Sequence, residues 1–155
     1  MDNEDLCRLR AKLLDQLRYL LDEVVAMEPV LDRLHEAELG IRERGPSVKE
    51  CYGALIAWDR GRLIPELNRL NGTVTGQEEC VEPDWNALPL RKILGEVNKV
   101  RSVVVDQVAA LNAARWTGRI SLGDEAYDVY GLVHRTIQHD VRMLRTIAEC
   151  LHQGW

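Results

Sequence analysis

The stretch that decides the fold reads Ser47-Val-Lys-Glu-Cys-Tyr-Gly-Ala-Leu-Ile-Ala-Trp-Asp-Arg60. Gly45-Pro46 punctuates the chain just before it. Ser47 and Glu50 then stand three residues apart, as a capping box requires: the hydroxyl and the carboxylate each accept a backbone N–H at the helix start. From there Val48, Tyr52, Leu55, Leu63 and Leu70 fall on one helical face. Cys51, Ala54, Trp58 and Pro65 fall on another. This pattern predicts a helix from Val48 to about Leu70. Pro65 lies four residues after Gly61, so its ring opposes the Gly61 carbonyl and removes a bond to it. A bend in the second half of the helix is expected.

Upstream, Leu6, Leu9, Leu13, Leu17, Leu20, Val24 and Met27 recur every three or four residues, predicting a first helix over Glu4–Met27. Pro29 should break it, with a short helical continuation to about Arg44. Downstream, Asn71–Leu88 holds Gly72, Gly76 and Pro83 and few apolar residues, and reads as one long loop. A third helix begins near Pro89 and carries Ile93, Val97, Val100, Val104, Val108 and Leu111. After the link Asn112–Ile120, Ser121-Leu122-Gly123-Asp124 reads as the N-cap of a fourth helix that runs to about Leu151. No segment shows strand-like alternation. The expectation is an all-α four-helix bundle, up-down with a long crossover loop between helices 2 and 3, in one domain spanning residues 1–155.

Composition bounds the rest. Of 155 residues, 46% are apolar and 29% charged, a globular balance able to bury a single sizeable core. Phe is absent and aromatics make up 5%, so core volume has to come mainly from Leu, Val and Ile. A net charge of −5 without any basic run argues against nucleic acid as partner. No apolar run approaches the ~18–20 residues of a membrane span, and the acidic start Met-Asp-Asn-Glu-Asp is unlike a signal peptide. A cytoplasmic location without membrane partners is expected. Cys7, Cys51, Cys80 and Cys150 lack metal or redox spacing and read as reduced thiols.

A second stretch carries chemistry: Val133-His-Arg-Thr-Ile-Gln-His-Asp-Val-Arg-Met-Leu-Arg-Thr-Ile147. Turning about 100° per residue separates two stripes on it. Tyr130, Val133, Ile137, Val141, Leu144, Ala148 and Leu151 form the ordinary core stripe. Leu132, Thr136, His139, Met143 and Ile147 form the other. A helix apolar over so wide an arc meets two neighbours or lines a cavity, and the mixed chemistry of the second stripes favours a pocket.

Together the two stretches resemble the DinB-like (damage-inducible) four-helix bundles, whose segments run roughly S-V-K-D-x-x-x-H-L-x-x-W-D-R and I-x-H-D-x-x-H-x-x-x-I. Pro83-Asp-Trp-Asn-Ala-Leu88 and Ala109–Trp116 look like the branch related to the colibactin self-protection protein, which works without the family's metal. The resemblance implies three ligand positions. This chain has Ala54 at the first, keeps His139 at the second, and has Met143 at the third. One imidazole falls short of the three protein ligands of a catalytic divalent site, so no metal cofactor is expected, with a weakly bound divalent metal as the alternative. Cys51, His139 and Met143 could instead form a soft Cu(I)-type set. His134 points about 140° away from His139, and His35 and His152 lie near helix ends.

Two functions follow from the resemblance. One is a metal-free hydrolase or transferase acting on a small reactive molecule or toxin, with His139 as candidate general base. Cys51, Ala54, Trp58, Thr136 and Met143 would line its pocket beneath the Asn71–Leu88 loop. The other is a non-catalytic binding or assembly bundle descended from a metal-dependent enzyme. A homodimer is expected in either case, to cover the wide apolar arcs. Asp59 and Arg60 read as a solvated or helix-packing pair. Adjacency on a helix implies no His139–Asp140 dyad.

Overall fold

Local signals start most of the helices in the computed structural model, which describes residues 2–42, 44–72, 81–122 and 125–153. Asp2 caps α1 (Asn3–Leu31), its carboxylate accepting the Asp5 N–H at 2.8 Å. The helix does not stop at Met27 as expected but runs through Pro29 to Leu31. Pro29 lies in the last turn, where its missing N–H costs a single ladder bond close to where the helix ends anyway. Of the continuation expected to Arg44, only the one-turn α2 (Glu36–Leu39) forms.

The Ser47–Glu50 capping box is present, with both hydrogen bonds at 3.1 Å, and opens α3 (Val48–Trp58). The expected bend takes the form of a π-helical segment, Asp59–Leu63, followed by α4 (Ile64–Leu70). The Ile64 N–H reaches five residues back to the Asp59 carbonyl. Widening the turn just before Pro65 accommodates the bond that proline cannot make.

Pro89 is the N-cap of α5 (Leu90–Ala110). The following link contains α6 (Ala113–Trp116) and then a small antiparallel hairpin of β1 (Ile120–Leu122) and β2 (Glu125–Tyr127). The hairpin corrects the expected N-cap at residues 121–124: Ser121 and Leu122 belong to a strand, while Gly123 and Asp124 lie outside the described residues. The cap is Asp128, whose carboxylate accepts the Gly131 N–H at 2.8 Å and opens α7 (Val129–Gln153).

The chain is thus mostly helical. α1 packs on α5 and α7, and α3 packs on the same two, whereas neither α1 with α3 nor α5 with α7 makes a comparable pairing. Contacts along the pairs give their directions. Tyr130 near the start of α7 donates to the Leu6 carbonyl near the start of α1, so these two run together. Cys150 Sγ approaches the Pro46 carbonyl, so α7 runs against α3. Arg60 with Glu96 and Asn68 with Gln107 align α3–α4 in the same sense as α5. Two neighbours running in the same sense need a connection that returns the length of the pair. Residues 73–80 of that connection lie outside the described residues; before α5 it contains a 3-10 turn, Trp85–Ala87. Trp85 lies so close over Gly53 that a Cβ there would come within 2.4 Å of the indole. Asn86 accepts from Ser47 Oγ at 2.6 Å, tying the returning segment to the start of α3.

On α7 the buried face is centred between the two stripes read from the sequence. Leu132, Val133, Thr136, Asp140 and Ile147 are buried, whereas Val141 is 49% exposed and Ala148 is exposed. This corrects the assignment of Val141 and Ala148 to the core. The helix sits in the crease between α1 and α3, which covers an arc shared by both stripes. The arcs on α3 and α7 are covered largely within one chain.

Candidate functional site

Two consecutive pairs of residues, Trp58-Asp59 on the α3 end and His139-Asp140 on α7, face one another across the helices. Successive helical residues diverge by about 100°, so each pair sends one side chain inward and one outward.

The inward pair meets Arg101 of α5. The guanidinium is fully buried and donates from Nε and Nη2 to the Asp59 carboxylate at 2.7 and 3.1 Å. It donates from Nη1 and Nη2 to Asp140 at 2.6 and 2.8 Å, and from Nη1 to the Leu17 carbonyl of α1 at 3.2 Å. Every guanidinium nitrogen has a partner, and all four long helical segments are joined at one level. Burial holds both carboxyl groups above their ordinary range, with Arg101 drawing them back. Of the two readings of Asp59 and Arg60, solvated or helix-packing, the second holds: Asp59 is 2% exposed and bound to Arg101, and Arg60 pairs with Glu96 at 2.6 Å, both partners lying on α5. The signal for this cluster was present in the sequence. Arg101 interrupts the apolar stripe of Val97, Val104 and Val108 at a core position, where an unpaired charge would not be tolerated.

The outward pair is a stack. The Trp58 indole lies on the His139 imidazole with ring centroids 4.3 Å apart and an interplanar angle of 18°. Its Nε1–H donates to Thr136 Oγ1 at 3.1 Å, and Thr136 donates in turn to the Leu132 carbonyl at 2.9 Å. His139 Nδ1 is buried without a partner among the described residues. Burial, helped by the positive charges of Arg142, Arg101 and Arg62, pushes the His139 pKa down to about 4. The imidazole is neutral at pH 7 and a weak proton acceptor.

The structure thus brings together three of the residues singled out from sequence: Trp58, Thr136 and His139. Cys51 is fully buried, and half-buried Met143 packs on the apolar cluster containing it. Burial pushes the Cys51 pKa up to about 12, so the thiol keeps its proton. Ala54 is half-buried one turn before Trp58. A groove of about 540 Å3 lies on the outer side of the stack and is lined by Trp58, Arg135, Gln138, Val141 and Arg142. Of the loop expected to roof a pocket, residues 73–80 lie outside the described residues.

These donors do not fit a divalent cation. Ala54 offers no donor, Met143 is packed among apolar groups, and Cys51 is protonated. Among the described residues no group of three or more His, Cys, Asp or Glu side chains is placed to hold a metal ion. Cys7, Cys51 and Cys150 are free thiols, and Cys80 lies outside the described residues. No helix among them is long and apolar enough to cross a membrane. No family model, curated protein or solved structure matches the chain.

Proposed function

We propose that this chain is a DinB-like four-helix bundle whose ancestral metal pocket has filled in, and that it acts by binding or assembly rather than by catalysis. The Trp58–His139 stack is the observation that carries this reading. The one retained ligand position is covered by an indole, its Nδ1 is buried, and its basicity is depressed. Other motif residues that the chain shares with the family serve the fold. Ser47 caps α3, Lys49 pairs with Glu36 at 2.7 Å, and Asp59 and Asp140 bind Arg101. At the two positions where the resemblance would put further ligands, Ala54 is half-buried and Met143 packs on the apolar cluster. A homodimer belongs to the same proposal, with exposed Tyr19, Val25 and Val30 along α1 as the apolar surface available to it.

The enzyme reading requires His139 to accept a proton from water or a thiol at neutral pH. The test is hydrolysis and thiol-transfer assays on a panel of epoxide, activated-ester and cyclopropane electrophiles, comparing wild type with His139→Ala. Background rates in both are expected. Turnover that is well above background and lost in His139→Ala would replace the binding reading with the metal-free enzyme.

A further inference from the structure

The groove outside the Trp58–His139 stack has a charge character opposite to that of the molecule. The chain carries a net charge of −5, yet three guanidiniums gather around one indole. Arg62 lies over the Trp58 ring at 4.8 Å, and Arg135 and Arg142 line the groove from the outer face of α7. Arg135 is engaged, by Glu125 at 2.8 Å and by the Tyr127 ring at 4.4 Å. Arg62 and Arg142 have no carboxylate at ion-pair distance among the described residues. The nearby acids on the same elements are consumed elsewhere, Asp59 and Asp140 being buried on Arg101. What remains is a cleft of about 540 Å3 lined by the unpaired Arg142 guanidinium, Arg135, the Gln138 amide, Val141 and the indole, with the Arg62 guanidinium over the Trp58 ring beside it.

Like charges held close together repel one another, and an anion between them relieves the repulsion. Guanidinium forks match the planar or tetrahedral oxygens of carboxylates and phosphates, and Val141 with Trp58 favours an apolar body beside the charge. We propose that the groove lined by Trp58, Arg135, Gln138, Val141 and Arg142, beside which Arg62 lies over the indole, is a binding site for an oxyanion, carboxylate or phosphate, carried on a small apolar organic group. Arg62 and Arg142 hold the oxyanion, and Val141 and the indole hold the organic part. The site goes beyond the binding reading above and does not depend on it, since it lies outside the filled interior and stands whether or not His139 has any catalytic role.

The test uses benzoate, phenyl phosphate and inorganic phosphate as probes, followed through the Trp58 indole N–H resonance, which is assigned by its loss in Trp58→Phe. Wild type is expected to show a saturable shift with at least one organic anion, with Kd on the order of 1 mM, weakening as salt is added. Which of the two binds tighter identifies the oxyanion. In the double variant Arg62→Gln, Arg142→Gln the midpoint should rise at least tenfold, and in Arg142→Lys by less, because the charge stays while the fork is lost. Both side chains are exposed, so unchanged amide spectra are expected and confirm that the variants fold. No saturable shift with either organic anion, or equal midpoints in wild type and the double variant, would overturn the proposal. Inorganic phosphate binding as tightly as phenyl phosphate would overturn the role given to Val141 and the indole.

Discussion

Asp59 and Asp140 are each one residue away from Trp58 and His139, yet the two sets live under opposite rules. The inward set is ionic and hydrogen-bonded throughout, with Arg101 supplying donors to both carboxylates and to the Leu17 carbonyl. The outward set is a ring stack in which one polar atom, His139 Nδ1, has no partner. Buried polar networks are expensive to leave incomplete, so a network this complete marks a position the fold depends on. An orphan nitrogen marks a position that tolerates replacement. The two quoted stretches therefore divide along the helix surface, with Asp59 and Asp140 tied into the ionic cluster and Trp58 and His139 stacked outside it.

Removing Arg101 should have the largest effect. Arg101→Met leaves two buried carboxylates facing each other, and a loss of about 3–5 kcal/mol in urea unfolding is expected. Replacing all three at once with apolar residues of similar volume should recover most of that loss, since it removes the desolvated charges together. A small effect of Arg101→Met alone would erase the contrast between the two regions.

Trp58→Ala should cost roughly 2 kcal/mol, less than a fully buried tryptophan because the ring is half-exposed. The same variant should free His139, raising its pKa back toward 6.5 as water reaches the imidazole. If the pKa stays near 4, the stack is not what shields the ring.

Stability against pH isolates the smallest effect. The folded pKa of His139 lies below its ordinary 6.5, so the contribution of the neutral ring is fully present above about pH 6.5 and is lost as pH falls toward 4. Discounted for solvent screening, wild type should lose roughly 1–2 kcal/mol more than His139→Phe across that window. The comparison is needed because the raised carboxyl pKa values of Asp59 and Asp140 act with the opposite sign, adding stability as pH falls. At pH 7, His139→Phe should be neutral or slightly stabilising, by under about 1 kcal/mol.

What was legible in the sequence was local. The Ser47–Glu50 box and the proline-driven irregularity near Gly61 could be read because their causes lie within a few residues. Pro29 misled because a proline breaks a helix only where turns remain to be broken. The hairpin at Ile120–Tyr127 was invisible because three-residue strands carry too little alternation to register. The ionic cluster joins positions 42 and 39 residues apart, and nothing local distinguishes Asp59 and Asp140 from solvated acids. Only the charge of Arg101 within an apolar stripe pointed to it. Trp58, Thr136 and His139 stood on the second stripes of their helices, but their stack and hydrogen bond depended on packing that no spacing rule supplies.

Titration of His139 separates a packed, uncharged ring from a working base most directly. Nitrogen-15 NMR of the imidazole across pH 3 to 9 should give a midpoint near 4 and a single neutral tautomer at pH 7. A midpoint at 6.5 or above would contradict the account and return His139 to the role of general base.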